Sequence, residues 1–215
     1  MRVWHQIQEG IWQCTACDGQ SRVELNIRQQ TDPPVRVRLL VISLAPPFEE
    51  GVEKKTRASS ATRSDQDKLR LFLEEALGDT WHRLTDRGVA LLHAVKCAIR
   101  PIEGGFQNPP ASVVDRCAPV HLAAELRQVG PEVVVALGRM AYRAFRMAVG
   151  EEDPRLMLSK PPKEAMPGQA GYSLYLRGRS ALLYTSQFPR GSGRMEATAV
   201  IRRAAVAAHI AASTS

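Results

Sequence analysis

The sequence contains no long apolar run, and none of its runs approaches the ~20 residues that a membrane-spanning helix needs. Its first ten residues, MRVWHQIQEG, include no apolar core of a secretory signal. No internal repeat period is visible. The lack of a long apolar run excludes a membrane-spanning helix, and the lack of a signal core excludes a secreted protein. We therefore expect a cytoplasmic protein.

Cysteine is scarce, with four residues, and cytosolic thiols stay reduced. Cys14 and Cys17 form a CxxC pair, whereas Cys97 and Cys117 stand singly. Four thiolates in this arrangement suit either an iron–sulfur cluster or a structural zinc, which would tie the N-terminal helix to the loop after the second strand. The alternative is four independent buried thiols, because free cysteine is often buried. Spacing does not distinguish a cluster from zinc.

The length of the chain limits the number of domains, and its charge indicates the kind of partner. A chain of 215 residues is long enough for one good core and too short for two, so we predict a single domain over residues 1–215. Lys and Arg number 29 against 22 Asp and Glu, which gives a net charge of +7. This balance favours a polyanionic partner, with nucleic acid first, although many basic proteins bind nothing anionic.

Apolar patterns predict strands that alternate with helices, which is typical of an α/β layer architecture. We read the polar stretch from 19 to 34 as a loop, and the stretch from 151 to 169 as a surface flap. A capping box at Ser112 and Asp115 predicts a helix start, and Pro119 predicts a kink or restart in that helix. The predicted strands cover 35–43, 88–95, 131–137, 172–176 and 181–185; the predicted helices cover 4–17, 64–77, 112–126, 139–149 and 195–212.

The segment LLVISLAPPFEE, residues 39–50, predicts a buried parallel strand that runs into a stiff two-proline loop. Ligands of open α/β sheets bind outside the carboxyl ends of such strands. Residues 43–50 are therefore a candidate active-site segment. The alternative is an ordinary exit from a strand with nothing bound.

Two polar residues join this candidate site. His93 lies near the carboxyl end of the second predicted strand, and Asp65 opens the helix that runs to Leu77. A carboxylate at the mouth of the crevice can orient water or stabilise a cation. The plain alternatives are a core histidine bonded to a backbone carbonyl, and a carboxylate that interacts with the helix dipole.

The loop SQFPRG, residues 186–191, leaves the last predicted strand. Phe188 is an apolar side chain that can wedge into a duplex, and Arg190 can bind phosphate. The alternative is a solvated basic turn.

Five segments, taken in order, resemble the uracil-DNA glycosylase superfamily, and within it the iron–sulfur type 5 branch, with type 4 next. The likeness spans roughly residues 10 to 205. The Cys97–Phe145 portion is specific, and the first and last segments are degenerate alone. The segments are CTAC at 14–17, SLAPP at 43–47 (a GLAP-type motif), HAVKCAIRP at 93–101 (the family's NAVKCAPP), CAPVHLAAELRQVGPEVVVALGRMAYRAF at 117–145, and SQFPRGSGR at 186–194, a weak HPSP…GR motif.

The resemblance implies a three-layer α/β sandwich, with a central four-stranded parallel sheet flanked by helices. It implies a [4Fe–4S] cluster on the four cysteines and a monomer that cuts the N-glycosidic bond of a flipped-out deaminated base in DNA. The family's catalytic carboxylate maps to Asp65, with Asp67 as the alternate. The implied contacts to the base and to DNA are Ser43, Leu44, Ala45, Pro46, Phe48, Ser186, Gln187, Phe188 and Arg190.

Three departures from the family pattern concern the chemistry. His93 replaces the asparagine that reads the base edge, and Ser186 replaces the histidine that donates to the base O2. Phe48 is the nearest substitute for the stacking aromatic. We therefore expect His93 to take over part of the leaving-group work.

Three functions remain open on the sequence. The first is excision of uracil, and of other deaminated bases, from DNA. The second is a module that binds uracil-containing or abasic DNA without cutting it. The third is a zinc-stabilised α/β protein with no nucleic-acid role.

Overall fold

The structure is a computed structural model that describes residues 2–17, 23–26, 36–45, 66–99, 109–150, 153–157, 160–176 and 178–210. Within these ranges the helices are α1 (Arg2–Trp12), α2 (Gln66–Leu77), α3 (Trp81–Asp86), α4 (Ala111–Cys117), α5 (Ala123–Val129), α6 (Arg139–Val149) and α7 (Gly193–Ala207). The strands are β1 (Val23–Asn26), β2 (Leu39–Ser43), β3 (Val89–His93), β4 (Cys97–Ile99), β5 (Val133–Leu137), β6 (Tyr172–Leu176) and β7 (Arg179–Ser186). Short 3-10 turns cover Pro154–Met157 and Lys163–Ala165.

The main sheet has five strands in the order β3-β2-β5-β7-β6. The first four are parallel, and β6 pairs antiparallel with β7 as the predicted hairpin. The predicted α/β class is therefore confirmed. The count of four strands is wrong by one, because the hairpin adds an antiparallel edge strand to the four parallel ones.

The parallel strands β2, β3 and β5 are buried on both faces, as their unbroken apolar runs require. Along β2, Leu39 and Val41 pack into one core cluster with residues of α2 and α7, while Leu40 and Ile42 pack into another with residues of α4 and α6. Successive side chains of a strand point to opposite faces, so this division follows from the strand geometry. Helices therefore cover both faces, which gives three layers.

Two strands lie where the sequence predicted loops. β1 and β4 form a separate antiparallel pair in which Val23 faces Ile99 and Asn26 faces Cys97. β1 has four residues and β4 has three, and each is too short to show a period of two. Only the pairing of distant backbone segments defines them.

The predicted capping box at Ser112 is wrong. The helix is preceded by Pro110 with no side-chain cap. Asp115 instead accepts hydrogen bonds from Arg143 Nε at 2.8 Å and Nη2 at 2.6 Å. An ion pair between two helices thus takes the carboxylate that the sequence pattern assigned to a local cap.

The helix passes through Pro119 by widening rather than by stopping. Residues Ala118–Leu122 form a π-helical segment that joins α4 to α5. Proline has no N–H to donate and its ring clashes with the preceding turn, and the wider turn accommodates both effects.

The described part of the predicted flap is packed against the sheet. Ala165 is buried, and its carbonyl accepts a hydrogen bond from Thr185 Oγ1 at 3.1 Å. Tyr172 donates its hydroxyl to Asp153 Oδ2 at 3.1 Å. These contacts fix the segment beside the carboxyl end of β7.

A buried polar chain connects α1 to the site region. Gln8 Nε2 donates to Glu125 Oε1 at 3.0 Å, and Glu125 also pairs with Lys96. Lys96 and Glu125 are 4% and 0% exposed at their side chains. Removal of one member of such a pair leaves the other charge buried and unpaired, which is strongly destabilising.

Replacement of Glu125 by Ala is expected to lower the free energy of unfolding by about 3–5 kcal/mol, because it leaves the Lys96 ammonium unpaired in the core. Urea denaturation monitored by circular dichroism measures this. Glu164→Ala removes an exposed carboxylate and should change the value by less than about 0.5 kcal/mol. Equal effects of the two substitutions would contradict a structural role for the pair.

Candidate active site

Polar side chains end several parallel strands at one edge of the sheet. Ser43 ends β2, His93 ends β3 and Ser186 ends β7, while Leu137 ends β5 between them. Strands lie about 4.8 Å apart, so three spacings separate His93 from Ser186 by roughly 14 Å. This crevice outside the strand ends is where open α/β sheets bind ligands.

Ser43 and His93 make a direct side-chain contact at this edge of the sheet. They are register partners in the parallel pairing of β2 with β3. Ser43 Oγ lies 2.5 Å from His93 Nδ1. The two strands then exit together, because Ala94 N donates to Ser43 O at 2.8 Å and Val95 N donates to Leu44 O at 2.9 Å. Backbone hydrogen bonds thus continue the strand pairing past Ser43 and His93 and hold the two residues side by side.

His93 is kept neutral by its surroundings. Its pKa is lowered from 6.5 to about 3, chiefly by burial and in smaller part by the positive charges of Lys96 and Arg70. Lys96 Nζ also donates to the His93 carbonyl oxygen. A neutral imidazole with so low a pKa is a poor base, and its chemical use here is as a hydrogen-bond donor or acceptor.

Glu196 organises the loop on the opposite side of the crevice. Its Oε1 accepts from Gln187 N at 2.9 Å and from Ser186 Oγ at 3.3 Å, and its Oε2 accepts from Gln187 Nε2 at 3.4 Å. Sequence reasoning missed Glu196. The available signal was an acidic residue in the first turn of the helix that follows the loop.

The same loop presents an aromatic ring and a cation. Phe188 is 36% exposed, and the Arg190 guanidinium lies over its ring at 5.4 Å. A Cβ atom at Gly138 would lie 3.7 Å from Phe188 Cβ, so the loop packs closely on the end of β5. An exposed ring beside a guanidinium can contact a base and a phosphate respectively.

The other predicted contacts divide into two groups. Leu44 and Ala45 are half-buried and pack against the core cluster beneath the crevice. Pro46, Phe48 and Asp65 lie outside the described residues. Asp67 is described only by its backbone, in the first turn of α2.

The cysteines gather at the other end of the β3–β4 connection. The pKa of Cys117 is raised to about 11, chiefly by burial, with small upward contributions from Cys14 and Cys17 and a downward one from the positive charge of Lys96. The Lys96 backbone amide donates a hydrogen bond to the Cys117 thiol, and this bond also acts against the rise in pKa. Lys96 directly precedes Cys97, so all four thiols belong to one neighbourhood, and three of them share a core cluster.

This donor set suits a soft metal centre by its chemistry, because thiolates are the preferred ligands of zinc and of iron–sulfur clusters. Within the part of the chain that the structure describes, no three or more His, Cys, Asp or Glu side chains form a group that could hold a metal ion. The four cysteines therefore lie near one another, but their side chains are not arranged as the ligands of a metal ion.

The low pKa of His93 predicts a pH-dependent stability. An unfolded histidine titrates near 6.5, so between about pH 6.5 and 3 the unfolded chain binds more protons than the folded chain. The free energy of unfolding should fall as the pH falls through this window, by up to about 1.4 kcal/mol per pH unit. The slope should be smaller in His93→Asn.

Denaturation between about pH 4.5 and 7 measures this slope above the range where most carboxylates titrate. Burial lowers the pKa of His121 as well, which gives a slope of the same sign, so the difference between parent and variant carries the test. An unchanged slope in His93→Asn would show that His93 titrates normally.

Comparison with known proteins places the chain in a family. The family model described as the uracil DNA glycosylase superfamily matches residues 30–200. No match is found among curated proteins. No helix within the described ranges is both long enough and apolar enough to span a membrane. The match covers most of the 215 residues, including β2, β3, β5 and β7 and the site at their ends, and the chain therefore belongs to the uracil DNA glycosylase superfamily.

Proposed function

We propose that the protein is a DNA repair glycosylase that flips uracil out of DNA and hydrolyses its N-glycosidic bond, leaving an abasic site. The observation that carries this proposal is the neutral His93 fixed at the carboxyl edge of the sheet, 2.5 Å from Ser43. Membership of the superfamily supports a glycosylase-type hydrolase in general terms. Beyond that general class, we propose that the substrate base is uracil or another deaminated base with carbonyl oxygens.

The role of His93 is to stabilise the base as the leaving group. As the glycosidic bond breaks, negative charge develops on the carbonyl oxygens of the base, and a hydrogen-bond donor there stabilises it. A neutral imidazole can donate from one nitrogen without bringing a positive charge into the crevice. Burial and the two nearby cations favour the neutral form.

Asp65 serves the sugar side of the reaction. A carboxylate stabilises an oxocarbenium-like transition state and can orient the attacking water. Asp65 directly precedes α2, and Arg70 of the same helix is close enough to His93 to lower its pKa. Arg70 thus lies near His93, and Asp65 precedes Arg70 by five residues in the sequence.

The loop at 186–190 serves DNA binding. Phe188 would fill the gap left by the extruded nucleotide, and Arg190 would contact phosphate. Glu196 holds the start of this loop through three hydrogen bonds, so the wedge would be presented by a rigid support. The net charge of +7 suits a duplex partner.

One observation favours a second candidate, a protein that binds uracil-containing or abasic DNA with little or no catalysis. Ser186 stands where the family has a histidine that donates to the base, and its hydroxyl is directed to Glu196 at 3.3 Å. A donor engaged in this way is lost to the leaving group. His93 must then carry the leaving-group contact alone.

Single-turnover assays on oligonucleotides that contain uracil or hypoxanthine test the proposal. Asp65→Asn and His93→Ala are each expected to lower the rate of base release about 10²–10³-fold, because each removes a group that acts in the transition state. DNA affinity, measured by fluorescence anisotropy, should change far less.

Asp86→Asn and His82→Ala make the same changes in residues exposed on α3 and should leave the rate as it is in the parent. Saturable binding without base release from any substrate would establish the second candidate. No salt-dependent DNA binding at all would contradict both.

We further propose that Cys14, Cys17, Cys97 and Cys117 hold a [4Fe–4S] cluster, with structural zinc as the alternative. Their shared neighbourhood and their chemistry support it. Such a group would be structural, since it would tie the segment after α1 to β4 and the end of α4. The reaction at His93 requires nothing from it.

Protein purified without oxygen should be brown, with visible absorbance that bleaches on oxidation. Cys117→Ser should remove most of this absorbance and the bound iron, because it deletes a buried ligand. Metal analysis distinguishes the cluster from zinc, which would give a colourless protein with about one zinc per chain. A parent chain that carries neither metal would contradict the proposal.

A further inference from the structure

The hydroxyl of Ser43 has only one proton, and its surroundings determine where that proton goes. Ser43 is 2% exposed, so water does not replace a missing partner. Within the described residues its hydroxyl has one hydrogen-bond partner, His93 Nδ1, at 2.5 Å. A buried hydroxyl that finds no acceptor costs about 1–3 kcal/mol.

This constraint selects between the two neutral forms of His93. If Nδ1 carried the proton, it would donate to Ser43 Oγ, and the hydroxyl proton would have no acceptor among the described residues. If Nδ1 is bare, Ser43 donates to it and both groups are satisfied. The remaining ring proton then lies on Nε2.

We propose that Ser43 is a positioning residue that donates to His93 Nδ1 and thereby holds the imidazole as its Nε2–H form, so that Nε2 donates to a carbonyl oxygen of the flipped base. This inference deepens the proposed function and rests on it for the identity of the acceptor. The low pKa of His93 agrees with a ring that stays neutral while it donates.

The two residues that make this contact are also two residues in which the chain departs from its family pattern. Serine stands at the first position of SLAPP where the family has glycine, and histidine opens HAVKC where the family has asparagine. They are register partners on adjacent strands, so each substitution places its side chain beside the other. An asparagine amide has a fixed donor and acceptor, whereas an imidazole needs a neighbour to fix its tautomer. Serine supplies that neighbour.

A serine beside a histidine also suggests a nucleophile and its base, and the structure argues against that arrangement here. Ser43 is buried at the end of β2, and among the described residues the one hydrogen-bond partner of its hydroxyl is His93 Nδ1. The His93 ring, with a pKa of about 3, has little capacity to accept the hydroxyl proton. The hydroxyl therefore acts as a donor rather than as an attacking group.

Nitrogen NMR of protein labelled with 15N-histidine tests the tautomer without reference to activity. The signals of His93 are assigned by their loss in His93→Asn. We expect Nδ1 to have the shift of a bare ring nitrogen and Nε2 that of a protonated one. Ser43→Ala should give a mixture of the two forms. A protonated Nδ1 in the parent, or unchanged shifts in Ser43→Ala, would overturn the proposal.

The kinetic arm measures single-turnover base release. Ser43→Ala should lower the rate about 10-fold, less than the loss of the whole donor in His93→Ala. In His93→Asn the alanine substitution at Ser43 should have little further effect, because the amide needs no tautomer control. Ser180→Ala, at the far end of β7, is the matched control and should have the rate of the parent. Circular dichroism confirms that each variant is folded.

The two proposals fail in different ways. A parent that releases no base from any substrate removes the proposed function, while the NMR result still decides the tautomer. An active parent whose rate is unchanged by Ser43→Ala removes the positioning role and leaves the glycosylase in place.

Discussion

The buried ammonium of Lys96 lies where three parts of this molecule meet. Its side chain pairs with Glu125, which also accepts from Gln8 of α1, and it donates to the carbonyl oxygen of His93. Its backbone amide donates to the thiol of Cys117. One residue thus links the N-terminal helix, the cysteine neighbourhood and the end of β3. Because a charge in the core is tolerated only when it is fully paired, this arrangement fixes all three relative to one another.

The same charge shapes the chemistry at the sheet edge. Lys96 and Arg70 both disfavour a protonated imidazole at His93, and burial acts in the same direction. A cationic histidine would bind phosphate, whereas a neutral one is suited to the carbonyl groups of a base. Positive charge near the strand ends therefore favours the neutral imidazole of His93, and positive charge at a surface in general favours association with polyanions.

The site combines residues on two adjacent strands with residues on a loop that is held by Glu196. Ser43 and His93 stand on adjacent strands whose exits are bonded to each other, and Phe188 and Arg190 stand on a loop that Glu196 holds. Catalytic geometry is best kept by groups on regular elements, and contacts with a long polymer are commonly made from loops. The ends of β3 and β7, which carry His93 and Ser186, are separated by roughly 14 Å along this edge of the sheet.

The sequence by itself determined the α/β class, the four parallel strands, the hairpin, the family resemblance and the placement of His93 and Ser186 near strand ends. These features depend on local patterns: apolar runs such as Leu39–Ile42 require burial on both faces wherever they occur. The tertiary structure alone decided the β1–β4 pair, the pairing of Asp115 with Arg143, the support from Glu196 and the contact of Ser43 with His93. Each of these joins residues that are 9 to 76 positions apart, and the energies that select them arise only when folding brings the two partners together.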